Sequence, residues 1–565
     1  LTRSLPKTTT ADAARAAARH PTADDVTALP SHAVNASTGD ERSSGNGDGN
    51  TGALSTRRAW RWWLPPASLA LLFTLYFIDP FAGDWDALDY TIHAVRGEPS
   101  SMLFGRMLFI FTNHAAYRAA HALFGLPAEE AYLLFKYMVV AQTPFAVVAC
   151  WTLARELSNS LQTATVAAFM LALSPFFIVY SGQAMTETPS ILLLSVALIT
   201  HLRGVRARVS WQVLLGAALL GLCVNIREPV GFFGVWLLLA PHCCYGWKPK
   251  GRELFITALA CALFLTCALA PFALWWLFDV RDYRDLWYGW LASMRAESAV
   301  HPVKLSNFVP FIQLFFIAAP ATLLALPFAL RREWRAQRAW TPMLVLALVG
   351  LFVQLMLLAN YSTVINGRYQ LTGLPGLFPL TAAYLLRRAR ERTPGSARRA
   401  LIYTCALVAA LAFLTGSVVY VFAARTLANH ALTKDYRARL VGLPKNAVVM
   451  AGGQTVAVNY YRGLGLGQWD SIGTGGGWPG AERLVPQIEW HLTSGHRVFV
   501  DIDPRLWSMD SWHAQETRAL VDLEKHFRFR HFSGTIYEIR PPGDESARDD
   551  PNLRILLNNP RSLFR

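Results

Sequence analysis

The chain is organised around eleven apolar runs, at about 64–79, 131–153, 161–180, 187–202, 211–227, 230–246, 253–278, 306–330, 341–360, 369–386 and 400–424. Most approach the roughly 20 residues that carry an α-helix across hydrocarbon, although the first and fourth are short for an untilted span. Backbone groups cannot stay unpaired in lipid, so these runs are expected as helices. The loops give an independent test. Arg57, Arg58 and Arg61 precede the first run, and Arg203, Arg206 and Arg208 follow the fourth. Lys248, Lys250 and Arg252 follow the sixth, Arg331, Arg332, Arg335 and Arg338 the eighth, and Arg387, Arg388, Arg390, Arg392, Arg398 and Arg399 the tenth. The intervening loops are poor in Lys and Arg, apart from Arg227, Arg368 and the long segment 279–305. Alternation of this kind is what the positive-inside rule gives when every run crosses. The expected topology is a multi-pass protein of the inner or plasma membrane with a cytoplasmic N-terminus. The loops around Asp84, Glu187 and Arg368, and everything after residue 425, then lie on the far side.

Composition agrees. With 53% of residues apolar and 16% charged, the chain is too hydrophobic for an ordinary soluble enzyme. Its net charge of +15 resides in the loop clusters, so no nucleic-acid partner is expected. The seven cysteines lie in or beside apolar runs, which encodes neither a disulfide framework nor a zinc site.

Residues 1–56, rich in Ala, Thr, Ser, Asp and Gly without a period, read as a disordered cytoplasmic tail. No signal-peptide pattern precedes the first run, which is expected to be retained. Residues 57–427 form the transmembrane domain, with interfacial helices expected in 84–124 and 279–305. Within the first, residues 101–124 are amphipathic, with Arg106, His114, Arg118 and His121 spaced for one face; in the second, Trp287, Tyr288 and Trp290 stand among charges. Residues 428–541 read as an extracytoplasmic α/β domain, with β-rich runs at 447–451, 497–502 and 534–539 and helix-like stretches near 485–494 and 512–526. Residues 542–565 are a flexible tail. The fold class is thus an α-helical polytopic membrane protein, with about eleven transmembrane helices and a C-terminal soluble α/β domain.

Asp84, Asp86 and Asp89 stand just after the first run. Carboxylates there can face water, a lipid headgroup and a second substrate together, which suits chemistry on a lipid-linked molecule. An ionised Asp can take a proton from an attacking hydroxyl or amine, and Asp84 with Asp86 has the spacing that holds a divalent cation, Mg²⁺ or Mn²⁺, beside a phosphate. The alternative is a set of solvated helix-capping acids. Glu187 opens the fourth run, where an acid also favours the helix dipole. Arg227 and Arg368 stand at run boundaries, placed either to neutralise a lipid phosphate or to snorkel, with Tyr369 as a belt anchor. Asp501 and Asp503 repeat the Asp-x-Asp spacing after a strand. That pattern holds nucleotide sugars in soluble glycosyltransferases, but those donors are cytoplasmic, so a strand-end turn is the expectation here. His114, His121 and His301 lack ligand spacing, and no Walker or serine-nucleophile motif is present.

Three stretches together resemble the GT-C superfamily of membrane glycosyltransferases, which includes protein O-mannosyltransferases and lipid A aminoarabinose transferases. Asp86-Ala-Leu-Asp-Tyr90 resembles its Asp-Glu-x-x-Tyr after the first span. Gln183-Ala-Met-Thr-Glu187-Thr-Pro resembles its second-loop acidic motif, and Arg368-Tyr-Gln-Leu-Thr-Gly-Leu-Pro375 resembles its Arg-Tyr-x-x-x-x-x-Pro before a late span. Ala87 stands where the family commonly has Glu, and Asp84 is an extra acid. The resemblance implies an inverting hexosyl or pentosyl transferase with a polyprenyl-phosphate-linked donor and a lipid, glycan or protein acceptor. It implies Asp86 as general base with Asp84 as its rival, support from Asp89 and Glu187, and donor-phosphate binding by Arg227, Arg368 and Tyr369. A polytopic transporter or lipid flippase, or a non-catalytic glycan-assembly protein, is the competing class. Transporters usually carry charges at mid-membrane in broken, repeated helices, and no internal repeat is evident.

Overall fold

The computed structural model describes residues 60–544 apart from 102, 246–249, 301–303, 337–339, 360–365, 392–396, 473–480, 504–518 and 520. The tail 1–56, His301, most of the helix expected near 512–526 and nearly all of the tail after 541 lie outside the described residues.

The described helices, in chain order, are α1 (Trp60–Tyr76), α2 (Trp85–Arg96), α3 (Met107–Phe124), α4 (Ala131–Ser158), α5 (Leu161–Ala172), α6 (Pro175–Ser181), α7 (Glu187–Ala207), α8 (Ser210–Val224) and α9 (Gly234–Cys244). They continue with α10 (Gly251–Leu277), α11 (Tyr283–Val300), α12 (Phe308–Ala318), α13 (Pro320–Ala336), α14 (Pro342–Met356), α15 (Leu374–Glu391), α16 (Ala397–Leu440), α17 (Thr455–Gly463) and α18 (Ala481–Thr493). Each expected apolar run therefore contains helix. Eleven crossings are nevertheless not established. Among the described residues only three helices are long and apolar enough to span, within 128–158, 187–207 and 251–277, or up to five if each of two bent pairs is one span. The α5–α6 pair bends by 63° and the α12–α13 pair by 102°. Both second helices begin at proline, which lacks the amide hydrogen a continuing helix needs and is suited to a first helical turn. On α10, Leu254, Phe255, Leu265, Leu274 and Leu277 are exposed, as on a helix turned toward lipid.

The segment 84–124 holds two helices, α2 and α3, and the amphipathic stretch expected over 101–124 is helical as α3 from Met107 on. Arg106 is the N-cap residue of α3, not part of its polar face, and is 1% exposed. The loop leading to it is tied to α11, because Tyr283 Oη donates to the Leu103 carbonyl at 2.7 Å. An aromatic cluster of Phe272, Trp275, Trp276 and Trp287 surrounds that contact.

The C-terminal region forms a five-stranded sheet in the order β2-β1-β3-β5-β4, from β1 (Ala447–Met450), β2 (Asp470–Ser471), β3 (Arg497–Asp501), β4 (Arg528–Ser533) and β5 (Ile536–Arg540). β1 runs parallel to β2 and β3, whereas β5 is antiparallel to β3 and β4. The three expected strands are present, and β2 and β4 add to them. β4 escapes the apolar pattern because Arg528, Arg530 and His531 face solvent.

One end of α7 carries Glu187 and the other Arg203 and Arg206. At 1.5 Å rise per residue these lie roughly 30 Å apart, so the acidic loops and the basic loops mark opposite ends of the bundle. The C-terminal region packs on the acidic end. Ile92 of α2 lies against Gly463, and the Phe81 ring meets Tyr460 edge-on at 5.2 Å.

Candidate active site

The first loop brings the acids to the head of α2. Asp84 is its N-cap, and its Oδ1 accepts the Asp86 amide hydrogen at 3.1 Å, the usual use of Asp where a helix leaves amides unpaired. Asp86 then sits in the first turn, and Tyr90, one turn on, donates its hydroxyl to Asp86 Oδ2 at 3.1 Å. Arg368 arrives from a short 3₁₀ turn, Gly367–Gly373, ahead of α15. Its Nη1 is 3.1 Å from Asp84 Oδ2 and its Nη2 is 2.6 Å from Asp86 Oδ2, so one guanidinium joins both carboxylates.

Behind this fork lies a second layer. Arg227 Nη1 contacts Glu187 Oε1 at 2.6 Å and donates to Thr186 Oγ1 at 3.0 Å, while Arg368 Nε is 3.8 Å from Glu187. The Tyr369 ring lies between the two cations, with guanidinium carbons 4.5 Å (Arg227) and 5.2 Å (Arg368) from its centroid. Arg106 pairs with Glu228 and donates through Nε to Tyr90 Oη at 2.7 Å.

Of the residues singled out in the sequence, Asp84, Asp86, Glu187, Arg227, Arg368 and Tyr369 converge. Asp89 does not join them: its carboxylate accepts the Ser101 amide and lies 3.3 Å from His93 Nε2. Snorkelling and belt anchoring fail for Arg227, Arg368 and Tyr369, which are 1%, 5% and 5% exposed. Arg227 pairs with Glu187, not with its neighbour Glu228. Tyr90, Arg106 and Glu228 are site residues that the sequence reading left out. The four-residue step from Asp86 to Tyr90 was a usable signal, since it puts both on one helix face; the Arg106–Glu228 pair has none, being 122 positions apart.

The two forked carboxylates differ. Burial pushes Asp84 up, to about 6, with the negative charges of Asp86 and Glu187 adding to the rise and Arg368 opposing it. Burial acts on Asp86 too, but Arg368, Arg106 and the Tyr90 hydroxyl outweigh it and hold this carboxyl below the usual range. Asp84 is also the more open, at 26% side-chain exposure against 10%. The cluster keeps unused capacity. Arg227 Nε and Nη2, Arg368 Nε and Glu187 Oε2 are buried without a hydrogen-bond partner among the described residues.

A divalent cation, which the Asp84–Asp86 spacing alone would allow, does not fit this donor set. The Arg368 fork fills the position between the two carboxylates, and no group of three or more His, Cys, Asp or Glu side chains converges among the described residues.

Similarity to known proteins follows the same geography. The dolichyl-phosphate-mannose-protein mannosyltransferase family matches residues 113–276, which include Glu187 and Arg227 but neither the first-loop acids nor Arg368. No curated protein matches the chain. The structure of ArnT from Cupriavidus metallidurans in the apo state superposes with a TM-score of 0.51 at 14% identity, covering 85% of this chain and 98% of that one. The chain has a GT-C fold. ArnT from the same organism bound to undecaprenyl phosphate gives 0.44 at 17% identity, covering 72% of this GT-C chain and 76% of its own. Arabinofuranosyltransferase AftD from mycobacteria, in a mutant form, gives 0.44 at 16% identity over 87% of this chain, which spans 42% of that enzyme.

Proposed function

We propose that the chain is a membrane glycosyltransferase that moves a sugar from a polyprenyl-phosphate-linked donor to an acceptor on the extracytoplasmic face, with inversion at the anomeric carbon. The observation that carries this is the pairing, at one end of the bundle, of a loosely held carboxylate with buried guanidiniums that retain free N–H groups. The fold and the mannosyltransferase-family match support it. In the reaction a first-loop Asp takes the acceptor's proton, the freed lone pair forms the new bond to the anomeric carbon, and the bond from that carbon to the phosphate oxygen breaks. The electron pair leaves on polyprenyl phosphate, where Arg227 and Arg368 meet its charge.

Asp84 is the better base of the two. A carboxylate clamped at 2.6 Å by a guanidinium and held below the usual range gives up its lone pair poorly, whereas one raised to about 6 is matched to proton transfer near neutrality. This proposal puts Asp84 before Asp86, the reverse of the order that the family resemblance implies. Asp86 then serves to hold Arg368.

Transport fits less well. The two bent helix pairs do meet, at a small crevice lined by Leu173, Pro175, Ala319, Pro320 and Phe378, but Thr415 is its one polar lining residue and donates to the Leu173 carbonyl. A broken-helix substrate or ion site needs polar ends turned inward, and this one is apolar. The deciding experiment follows the purified protein in proteoliposomes supplied with polyprenyl-phosphate sugars. Release of polyprenyl phosphate with an inverted glycosidic product is expected. Movement of the lipid-linked sugar across the bilayer without bond cleavage would overturn the proposal.

A further inference from the structure

Asp79 lies five residues before Asp84 and is 1% exposed. A carboxylate so buried needs a partner of opposite charge or several donors, and its principal one comes from far along the chain. His430 of α16 places Nδ1 2.5 Å from Asp79 Oδ2 and is itself only 7% exposed. Asp79 Oδ1 meanwhile accepts the Phe81 amide hydrogen at 2.8 Å. The rest of this loop is held from the membrane domain. Lys136 Nζ donates to the carbonyls of Asp79 and Phe81 at 2.7 and 3.0 Å, the Ala184 amide donates to the Ala82 carbonyl at 2.7 Å, and the Asp84 amide donates to Gln183 Oε1 at 3.2 Å. At Gly83, with φ +132°, a Cβ would lie 2.7 Å from Gln183, so this close approach of the loop to Gln183 requires glycine.

α16 runs on to Leu440 and the sheet. It is docked by Arg437 on Glu129 at 2.6 Å, by Gln454 Nε2 donating to Asn429 Oδ1 at 2.9 Å, and by Tyr461 Oη donating to the Lys434 carbonyl. Among these contacts His430 is the one that enters the loop bearing the acids.

We propose that His430 is a positioning residue of the transfer reaction: held against Asp79, it fixes loop 79–84 and so sets where Asp84 meets the acceptor. The helix that bears the C-terminal sheet thereby becomes part of the active-site geometry. This rests on the transferase reading above. Electrostatics agree, since burial disfavours the imidazolium but the hydrogen bond and charge of Asp79 more than reverse this and hold His430 above its ordinary range.

The test uses the full chain in nanodiscs and the polyprenyl-phosphate sugar that the wild type cleaves. His430→Ala should lower kcat on the order of 10- to 100-fold, as small misplacements of a reacting group do, with donor KM within about twofold. His430→Asn, whose amide nitrogen takes the position of Nδ1 and can donate to Asp79, should recover most of the loss. Arg437→Ala loosens the same helix at an exposed pair and should leave kcat within about twofold. Hydrogen exchange supplies a readout independent of turnover: the Phe81 and Asp84 amides should exchange faster in His430→Ala and not in Arg437→Ala. Equal losses in His430→Ala and Arg437→Ala would reduce His430 to a docking contact, and unchanged exchange in His430→Ala overturns the inference whatever the rate. If the wild type cleaves no donor, the transferase reading fails, and the exchange result alone decides whether His430 holds the loop.

Discussion

The chain uses one local device twice. In Asp84-Trp85-Asp86 and in Asp501-Ile502-Asp503 the first carboxylate accepts the amide hydrogen of the second residue on, at 3.1 and 3.0 Å, and in both a single arginine joins the two acids. The surroundings separate them. Asp501 is fully buried and receives Tyr436 Oη, Arg439 Nη1, Thr535 Oγ1 and the Asp503 amide, which occupy both oxygens. Asp84 receives the Asp86 amide and Arg368 and keeps an open side, beside guanidiniums with N–H groups to spare. An Asp-x-Asp with an arginine is therefore not in itself a reaction centre. Saturation turns it into a clamp, and incomplete satisfaction next to an open face leaves it able to accept a proton.

The largest test of that contrast is Asp84→Asn, which keeps the helix cap and removes the proposed base. Turnover should fall by roughly 10²- to 10⁴-fold, the usual share of general-base catalysis, with donor binding retained. The pH profile sharpens it. A base at Asp84 acts only when ionised, so on this proposal the wild-type rate should rise through about pH 6 and level off above it. In Asp86→Asn, which also slows turnover by loosening Arg368, a negative charge that raises Asp84 is gone and Arg368 is free to pair with it; the residual activity should therefore keep its plateau to lower pH. A wild type with no limb there would return the base to Asp86, and a limb that stays at about 6 in the variant would assign it to a group outside the Asp84–Asp86 pair.

Next in size is Arg227→Lys. Lysine keeps the charge near Glu187 but gives up the planar fork and the unused Nε and Nη2 hydrogens. Donor KM should rise about tenfold while kcat changes less, because the lost contacts recognise the phosphate in the ground state as well. An unchanged KM would mean that the spare hydrogens of Arg227 take no part in donor recognition.

Much of this site was legible before any coordinates. Asp86, Glu187, Arg227 and Arg368 are ionisable groups at the ends of apolar runs, where an isolated charge is unfavourable, so each announces itself against its background. Their mutual pairing was not legible, because it depends on which run boundaries the fold brings to one end. Glu228 lay next to Arg227 in sequence and paired with Arg106 instead. The apolar pattern gave helices but not spans, since the breaks at Leu173–Ser174 and Ala319 turn on single prolines within otherwise continuous runs. In the sheet, β4 was lost for the opposite reason: an exposed edge strand carries no alternating apolar signal.

Asp503→Ala should have a smaller effect and of another kind. It removes one of two carboxylates holding Arg439, the residue that ties α16 to the end of β3. Transfer should stay within about threefold of wild type. Stability should drop by about 1 kcal/mol, because Arg439 is partly exposed and can turn to water. Thermal unfolding and the release assay together decide this, and a loss of turnover as deep as that of Asp84→Asn would erase the distinction between the two motifs.

The smallest effect belongs to Asp89→Asn, the third acid of the first loop. By sequence alone it stands with Asp84 and Asp86, three positions beyond the latter on the same short helix. Its oxygens are turned to the Ser101 amide at 3.2 Å and to His93 at 3.3 Å, and Arg368 does not reach it. An asparagine can still accept from Ser101, so the turn after α2 should hold. Release of polyprenyl phosphate should remain within about twofold of wild type at neutral pH, a change of ~0.4 kcal/mol in the barrier. The pH limb near 6 should stay in place, because Asp89 is not among the charges that shift Asp84. A tenfold loss with the limb displaced would show that the electrostatic reach of the site extends down α2, and that partner saturation alone does not separate working acids from structural ones.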